Sequence, residues 1–411
     1  MGTEDIYSGL RASAGAIEEE LIALRRKLHS YPELSFEEER TSDAVAEWLN
    51  GLGLDAVRRG VGGHGIVAEL AGSRPGPRIA LRADMDALPI REETGLPYAS
   101  QVPGVMHACG HDAHTAMLCG AARLLADRRD RLAGSVRFLF QSAEEINAGA
   151  KAMIEQGALE GVDEIYGLHN LPTLSAGQAG TRFGALMGSV DQFEVTVTGR
   201  GGHGALPEQC VDPVVAASAI VMALQTAVSR ELSPFSPAVV TVGSVHGGAS
   251  YNVIPERVEL AGTVRTFSPD VQEQMPDRLA RLAGRIAEAY RCTAELHYIR
   301  HVPVLLNHDD QVRRVEEAID AVLGRDNRIE APPVLAGEDF SVYLGRVPGC
   351  FFWLGSGPET GAEQAYGLHH PRYTLNEGCL AKGAALLAAI AIRNEFPDAN
   401  LHSDNKKRSR S

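Results

Sequence analysis

The chain has 411 residues and a formal net charge of −14, with 44% hydrophobic and 22% charged residues. This is globular composition, which excludes disorder as a whole, and the length favours two domains or one large one. The acidic balance argues against nucleic acid and anionic membranes as partners, and no apolar run approaches the roughly 20 residues that span a bilayer.

In chain order, Ile17, Leu21, Leu24 and Leu28 recur at helical spacing. So do Val45, Trp48, Leu49 and Leu52, with Gly51 and Gly53 marking the end. Short apolar runs at 65–70 and 78–81 predict strands, and a helix from about Asp112 carries Met117, Leu118, Ala121, Leu124 and Leu125. Strands follow at 136–140 and 164–168. Helices alternating with nearly continuous apolar strands predict a mostly parallel sheet covered on both faces.

The middle changes style. Phe193, Val195 and Val197 alternate with Glu194, Thr196 and Thr198, as in a strand with one wet face. A helix with Val214, Ala217, Val221, Leu224 and Val228 follows, then strands at 239–245 and 258–264. A helix with Val271, Met275, Leu279, Leu282 and Ile286 precedes a strand with Ala294, Leu296 and Tyr298. The order β-α-β-β-α-β is ferredoxin-like. Beyond it, Val312, Val315, Ile319 and Val322 give a helix, 351–354 an apolar strand, and an Ala-rich helix starts near Glu377. The expected class is α/β: a mostly parallel-sheet domain (1–186 and 302–398) interrupted by a smaller ferredoxin-like domain (187–301). Residues 399–411 form a basic tail, read as a disordered terminus.

Several residues could do chemistry. Cys109 and His111 lie two positions apart just before a helix, and thiolate and imidazole are first-choice ligands for zinc and related ions. Alone, such a pair is more simply a structural cysteine beside a surface histidine. Glu144 and Glu145 follow the strand 136–140, where one carboxylate could bind metal while the other moves a proton. A bare Glu-Glu pair is otherwise an acidic helix start. His169 ends the strand 164–168, and Asp84 and Asp86 follow 78–81, at the carboxyl edge where α/β sheets place ligands. His369 and His370 precede Pro371 in a late loop. Convergence from separate loops at one edge exceeds one tetrahedral site and suggests two metals roughly 3.5–4 Å apart. In the inserted segment, Gly199–Ala205 is a Gly-rich turn presenting His203, Asn252 is a neutral donor, and Arg265 could clamp a carboxylate. Their plainer role is turn-making and surface pairing.

The motifs go further together. They are Leu24–His29 with Pro32-Glu33-Leu34, Leu81–Pro89, Met106–Asp112, Glu144-Glu145 and Gly167-Leu168-His169. Later come Gly201–Gly204, Asn252–Pro255, Gly262–Arg265, Glu338-Asp339-Phe340 and Leu368–Pro371. Over roughly residues 17–394 the chain resembles an M20-type metallopeptidase. The resemblance is to the amidohydrolase branch of hippurate hydrolases, N-acyl-amino-acid deacylases and indole-acetyl-amino-acid hydrolases. It implies two divalent metal ions, Mn²⁺ or Zn²⁺ with Co²⁺ or Ni²⁺ as alternatives. The implied ligands are Cys109, His111, Glu145, His169 and His369, with Cys109 bridging. It implies Glu144 as general base, Asp86 as an orienting group, and His203 as a stabiliser of the tetrahedral intermediate that reaches the other subunit of a homodimer. Asn252 and Arg265 would hold the substrate. The chain departs from the family pattern at His370, Glu208, His64 and Gly337.

The expected activity is hydrolysis of the amide bond of N-acyl amino acids. A dipeptidase or carboxypeptidase on the same scaffold, or a non-catalytic small-molecule binding protein, is the alternative. The six cysteines, at 109, 119, 210, 292, 350 and 379, are too sparse for a disulfide framework. With no secretory signal visible, a cytoplasmic location is expected, with a homodimer or a dimer of dimers and no nucleic-acid or membrane partner.

Overall fold

The computed structural model describes residues 3–392. The basic tail expected at 399–411 lies outside them. Two compact units divide the chain: residues up to 181 with 310–329 and 351 onward, and residues 182–309 with 330–350. The first opens with α1 (Thr3–Ala16), α2 (Glu18–Ser30), α3 (Glu39–Asn50), β1 (Ala56–Arg59), β2 (Ile66–Ala71) and β3 (Arg74–Asp84). It continues through α4 (His111–Ala126), β4 (Ala133–Gln141), α5 (Gly149–Glu155), β5 (Glu164–Ser175) and β6 (Ala179–Thr181). The second carries β7 (Gly184–Met187), β8 (Val190–Thr198), β9 (Gly202–His203), α6 (Pro213–Leu224), α7 (Thr226–Ser229) and β10 (Ala238–Gly247). β11 (Val253–Ile254), β12 (Arg257–Thr266), α8 (Pro269–Ala289), β13 (Thr293–Val302) and β14 (Leu305–Asn307) follow. The chain then runs through α9 (Asp309–Val322), β15 (Arg328–Glu330), α10 (Phe340–Leu344), β16 (Gly349–Gly357) and α11 (Cys379–Ala391).

The first unit is an α/β layer structure on an eight-stranded sheet of order β1-β2-β4-β3-β5-β16-β6-β15. Its centre is parallel: Leu81 of β3 stands opposite Phe138 of β4 and Tyr166 of β5. The flanking pairs β1/β2, β2/β4 and β16/β6 run antiparallel. Coverage on both faces explains the continuous apolar runs, and every residue of β16 is buried. α4 packs against α2, α11 and β3. Gly120 allows that approach, because a side chain there would meet Ala384 and Leu21. This arrangement sets the amino end of α4 beside the carboxyl ends of β3 and β4.

The second unit contains a four-stranded antiparallel sheet, β10-β12-β8-β13, with Val195 between Leu260 and Leu296. α6 and α8 pack together, and Phe193, Val195, Val197, Ile220, Leu224, Met275 and Leu279 share one core. Both helices start as their sequences direct. Asp212 and Ser268 accept backbone N–H bonds as N-caps, and Pro213 and Pro269 occupy the first turn.

Some expected details shift. α6 buries Ala216, Ala217, Ile220 and Leu224, while Val214 is exposed and Val228 lies beyond it in α7. β5 continues to Ser175, so His169 sits within it and does not end it. The ladder with β3 stops at Arg82 opposite Gly167, which still leaves His169 just past the paired edge.

Candidate metal centre

Gly110 holds φ +88° and turns the chain so that Cys109 precedes, and His111 begins, α4. A side chain at Gly110 would run into Asn170 and Tyr373, so glycine is required twice over. Asp112, next in line, is buried and ties the helix start to α2. Its Oδ2 pairs with Arg25 Nε at 2.8 Å and His29 Nδ1 at 2.7 Å. Burial works against the charged form of Asp112, but Arg25 and the neighbouring histidines hold it well below the usual carboxylate range. For His29, burial opposes protonation, and Asp112 and Glu92 outweigh it, so its pKa lies above the ordinary 6.5. A raised folded-state pKa stabilises fully below about pH 6.5 and loses that contribution as pH rises through the folded value. The stability gap between wild type and His29→Gln should therefore narrow as pH rises above about 6.5, as read by thermal unfolding midpoints. A gap that widens would contradict the pairing.

Asp86 lies just past β3 and organises the opposite side. Its Oδ1 is 3.2 Å from His111 Nδ1, while its Oδ2 accepts bonds from the Glu145 backbone N–H (3.0 Å) and Ser35 Oγ (2.7 Å). With Nδ1 so engaged, Nε2 of His111 is the ring nitrogen that faces inward. Glu145 Oε1 is 3.8 Å from that Nε2. Glu144 is buried beside it, with one ligand atom each from His111, Glu144 and Glu145 within 4.8 Å of one another. The loop from β4 is bent at Ala143, φ +56°, whose N–H donates to the buried Glu38 carboxylate at 2.8 Å. Replacing Asp86 with Ala should weaken metal uptake about 10- to 100-fold, measured by calorimetric titration of the metal-free protein. Unchanged affinity would contradict its orienting role.

His169 is fixed in the same manner, Nδ1 donating to the Asn170 carbonyl at 2.8 Å. Its Nε2 reaches Cys109 Sγ at 3.3 Å, and Trp353 packs edge-on against its ring at 5.5 Å between centroids. His369 has φ +63°, a left-handed conformation rare outside glycine, and its N–H bonds Ala108 O at 2.8 Å. Its Nε2 lies 3.3 Å from the same sulfur and 3.5 Å from Glu145 Oε1. His369 is exposed, the other histidines buried, so the centre opens to solvent on its side.

The electrostatics are those of a crowded donor set. Burial pushes the Cys109 thiol well up, with Glu145 adding. Burial likewise raises Glu145 to about 7, with His111 opposing and Asp86 and Asp84 adding. Burial alone would depress His111, but Asp84 and the bond to Asp86 hold it well above its ordinary value. Burial, reinforced by His114, depresses His169. His111 Nε2 and Glu145 Oε1 are buried without hydrogen-bond partners, an arrangement that burial penalises unless another group takes them up. Two triads, Cys109–His111–His169 and Cys109–Glu145–His369, each bring ligand atoms within 4.8 Å and share the one sulfur. Thiolate, imidazole and carboxylate donors in this arrangement fit divalent ions of the zinc and manganese kind.

The other expected residues lie in the second unit. His203 on β9 pairs with Val253, and the Asn252 carbonyl accepts from Gly204 N–H at 2.8 Å, so these two share one small ladder. Both side chains are exposed. Arg265 stands on β12 opposite Val239, half-buried beside Asp191. The sequence marks Asp84 only as a candidate at the carboxyl edge, and it assigns no role to its buried partners His114 and Asn170, or to Arg25, Ser35, Ser356 and Tyr373. For Ser35, Ser356 and Tyr373 no periodicity or spacing gives a signal. Arg25 and His29 carried one, standing four apart on one helix face within a quoted motif.

Comparison with known proteins agrees with this geometry. Residues 80–393 match the family model of peptidase family M20/M25/M40. An N-acetylcysteine deacetylase of Bacillus subtilis is 43% identical over 372 residues, covering 90% of this chain and 96% of the relative. A thermostable carboxypeptidase of Saccharolobus solfataricus is 38% identical over 396 residues, covering 95% and 99%. Among solved structures, a dinuclear metal-binding M20 peptidase from Bacillus subtilis superposes with a TM-score of 0.83 at 39% identity, covering 92% of this chain and 98% of that one. The chain therefore belongs to peptidase family M20/M25/M40, and the resemblance read from its motifs is its own family.

Proposed function

We propose that the protein hydrolyses the amide bond of N-acyl amino acids, with acetyl, hippurate-like or indole-acetyl acyl groups, releasing a carboxylic acid and an amino acid. The observation that carries this is the meeting of Cys109, His111, Glu145, His169 and His369 at one sheet edge with Glu144 alongside. These five residues would hold two divalent ions, Mn²⁺ or Zn²⁺, with Co²⁺ or Ni²⁺ as alternatives, and Cys109 shared between them. Bound there, the ions would polarise the scissile carbonyl and bring a water's pKa toward neutrality.

The chain's own residues do the rest. Glu144 takes a proton from the attacking water as its oxygen bonds the carbonyl carbon, then delivers it to the amide nitrogen as the C–N bond breaks. Asp86 keeps His111 in the required tautomer. His203 would stabilise the oxygen charge of the tetrahedral intermediate, and Asn252 and Arg265 would hold the substrate's amide oxygen or carboxylate. A homodimer, or a dimer of dimers, built through the inserted segment 187–301 would bring His203 to the other subunit's centre. Exposed Val214, Val215 and Met222 on α6 and exposed Tyr251 and Val253 are the kind of surface such an interface covers. All six cysteines are buried thiols not bridged to one another, which supports the cytoplasmic location proposed here.

The carboxypeptidase relative favours a second reading, cleavage of a C-terminal residue from a peptide on the same scaffold. Fully metal-loaded protein assayed on acetyl-amino acids, hippurate, indole-acetyl-amino acids and dipeptides separates the two. Turnover of the N-acyl compounds above that of dipeptides is expected. Preference for dipeptides supports the carboxypeptidase reading, and turnover of none points to a binding protein.

A further inference from the structure

Asn170 is wholly buried behind the centre and engages every polar atom it has. Its side-chain oxygen accepts from Ser356 Oγ at 2.9 Å and Tyr373 Oη at 2.7 Å. That leaves Nδ2 to donate, to the Cys109 carbonyl at 2.6 Å and to His114 Nε2 at 3.0 Å. Its backbone N–H also donates to His114 Nε2 at 2.9 Å, and its carbonyl accepts from His169 Nδ1. His114 Nε2 is thus an acceptor, so Nδ1 carries the proton and gives it to Asp84 Oδ1 at 2.6 Å. Asp84 is in turn paired with Arg82 at 2.6 Å.

We infer that Asn170 is a positioning residue that locks the three metal-bearing segments together. Through Cys109 O it fixes the loop that presents the sulfur. Through its own carbonyl it fixes the tautomer of His169. Through Tyr373 it tethers the chain just beyond His369. His114, held between Asn170 and Asp84, lies 4.6 Å ring to ring from His169 and braces it from behind. Gly110 packs directly on the amide, so no other side chain fits between the ligand loop and Asn170. A fully satisfied buried network of this kind specifies one geometry, and a partly satisfied one does not. The inference rests on the ligand set proposed above, but not on the substrate.

The test is metal uptake by the metal-free full-length protein, titrated with Zn²⁺ by calorimetry and with Co²⁺ by its sulfur-to-metal absorption. Asn170→Ala should lower affinity about 10- to 100-fold, the size usual for partners of metal ligands, and alter the Co²⁺ spectrum. Asn170→Asp keeps the shape but replaces the amide donor with an acceptor facing the Cys109 carbonyl, and should fail to the same degree. A role in filling space alone predicts that Asn170→Asp binds as wild type. Where Asn170→Ala does not fold, Ser356→Ala and Tyr373→Phe each remove one bond to the same oxygen and should weaken uptake in the same direction. Wild-type affinity and spectrum in the Asn170 variants, or in both of the latter pair, overturn the inference. A wild-type protein that takes up no ion overturns the ligand set along with it, whereas normal uptake without N-acyl hydrolysis touches only the proposed function.

Discussion

Glu144→Gln is expected to lower kcat about 10²- to 10⁴-fold while leaving the protein folded and able to take up its metals. The amide is the same size as the carboxylate but cannot accept a proton at ordinary pH. Glu144 is buried on the turn after β4, within a ligand-atom cluster of 4.8 Å with His111 and Glu145. The two adjacent acids have separate duties in this account. Glu145 faces the histidines and the sulfur, at 3.5 Å from His369 Nε2, and is the proposed ligand. Its neighbour is left to move the proton. Glu145→Gln should therefore reduce metal affinity first and rate as a consequence, the opposite order from Glu144→Gln. Paired measurement of metal content and kcat decides the assignment. Near-normal turnover in Glu144→Gln would show that another group is the base.

Arg25→Met is expected to destabilise the protein by about 3–5 kcal/mol, measured by denaturant unfolding. Arg25 and Asp112 are both buried, with the ion pair at 2.8 Å. Removal of the guanidinium leaves a buried carboxylate with the Ala113 N–H and the neighbouring histidines His29 and His107 to offset it. The double variant Arg25→Met, Asp112→Leu removes both charges and should recover part of the loss, because an apolar pair of similar volume substitutes well for a buried ion pair. A loss below about 1 kcal/mol in Arg25→Met, the range of exposed pairs, would mean that solvent reaches this site. The pair matters to the centre because Asp112 directly follows His111, so α2 and the ligand loop are fastened by the same contact.

The sequence was informative where one-dimensional patterns map onto structure. The apolar runs that became β3, β4, β5 and β16 are continuous because both faces of the sheet are covered. The candidate ligands were legible because each lies near the carboxyl edge of the parallel strands, His111 at the start of α4, His169 inside β5 and the others on loops, and is a residue type that seldom appears there for packing alone. Other features depend on folding that no local pattern encodes. The partners of Asn170, Ser356 and Tyr373, lie 186 and 203 residues further along the chain. β5 runs on to Ser175, beyond the apolar run 164–168 that marks it in the sequence, although its ladder to β3 finishes at Gly167. α1 went unread because its Gly-, Ser- and Ala-rich stretch has a weak apolar stripe, and it buries Leu10 and Ala14. α6 is apolar on nearly all sides, so periodicity alone does not say which face the sheet takes.

Hydrolysis by the proposed mechanism depends on divalent ions held at Cys109, His111, Glu145, His169 and His369. The most direct measurement removes them with a chelator, confirms that the protein stays folded, and follows hydrolysis of an N-acetyl amino acid as Mn²⁺ or Zn²⁺ is added back. Activity should lie at background in the metal-free protein, return as two equivalents per chain are bound, and fail to return in Cys109→Ala. Full activity in the metal-free protein would contradict that dependence.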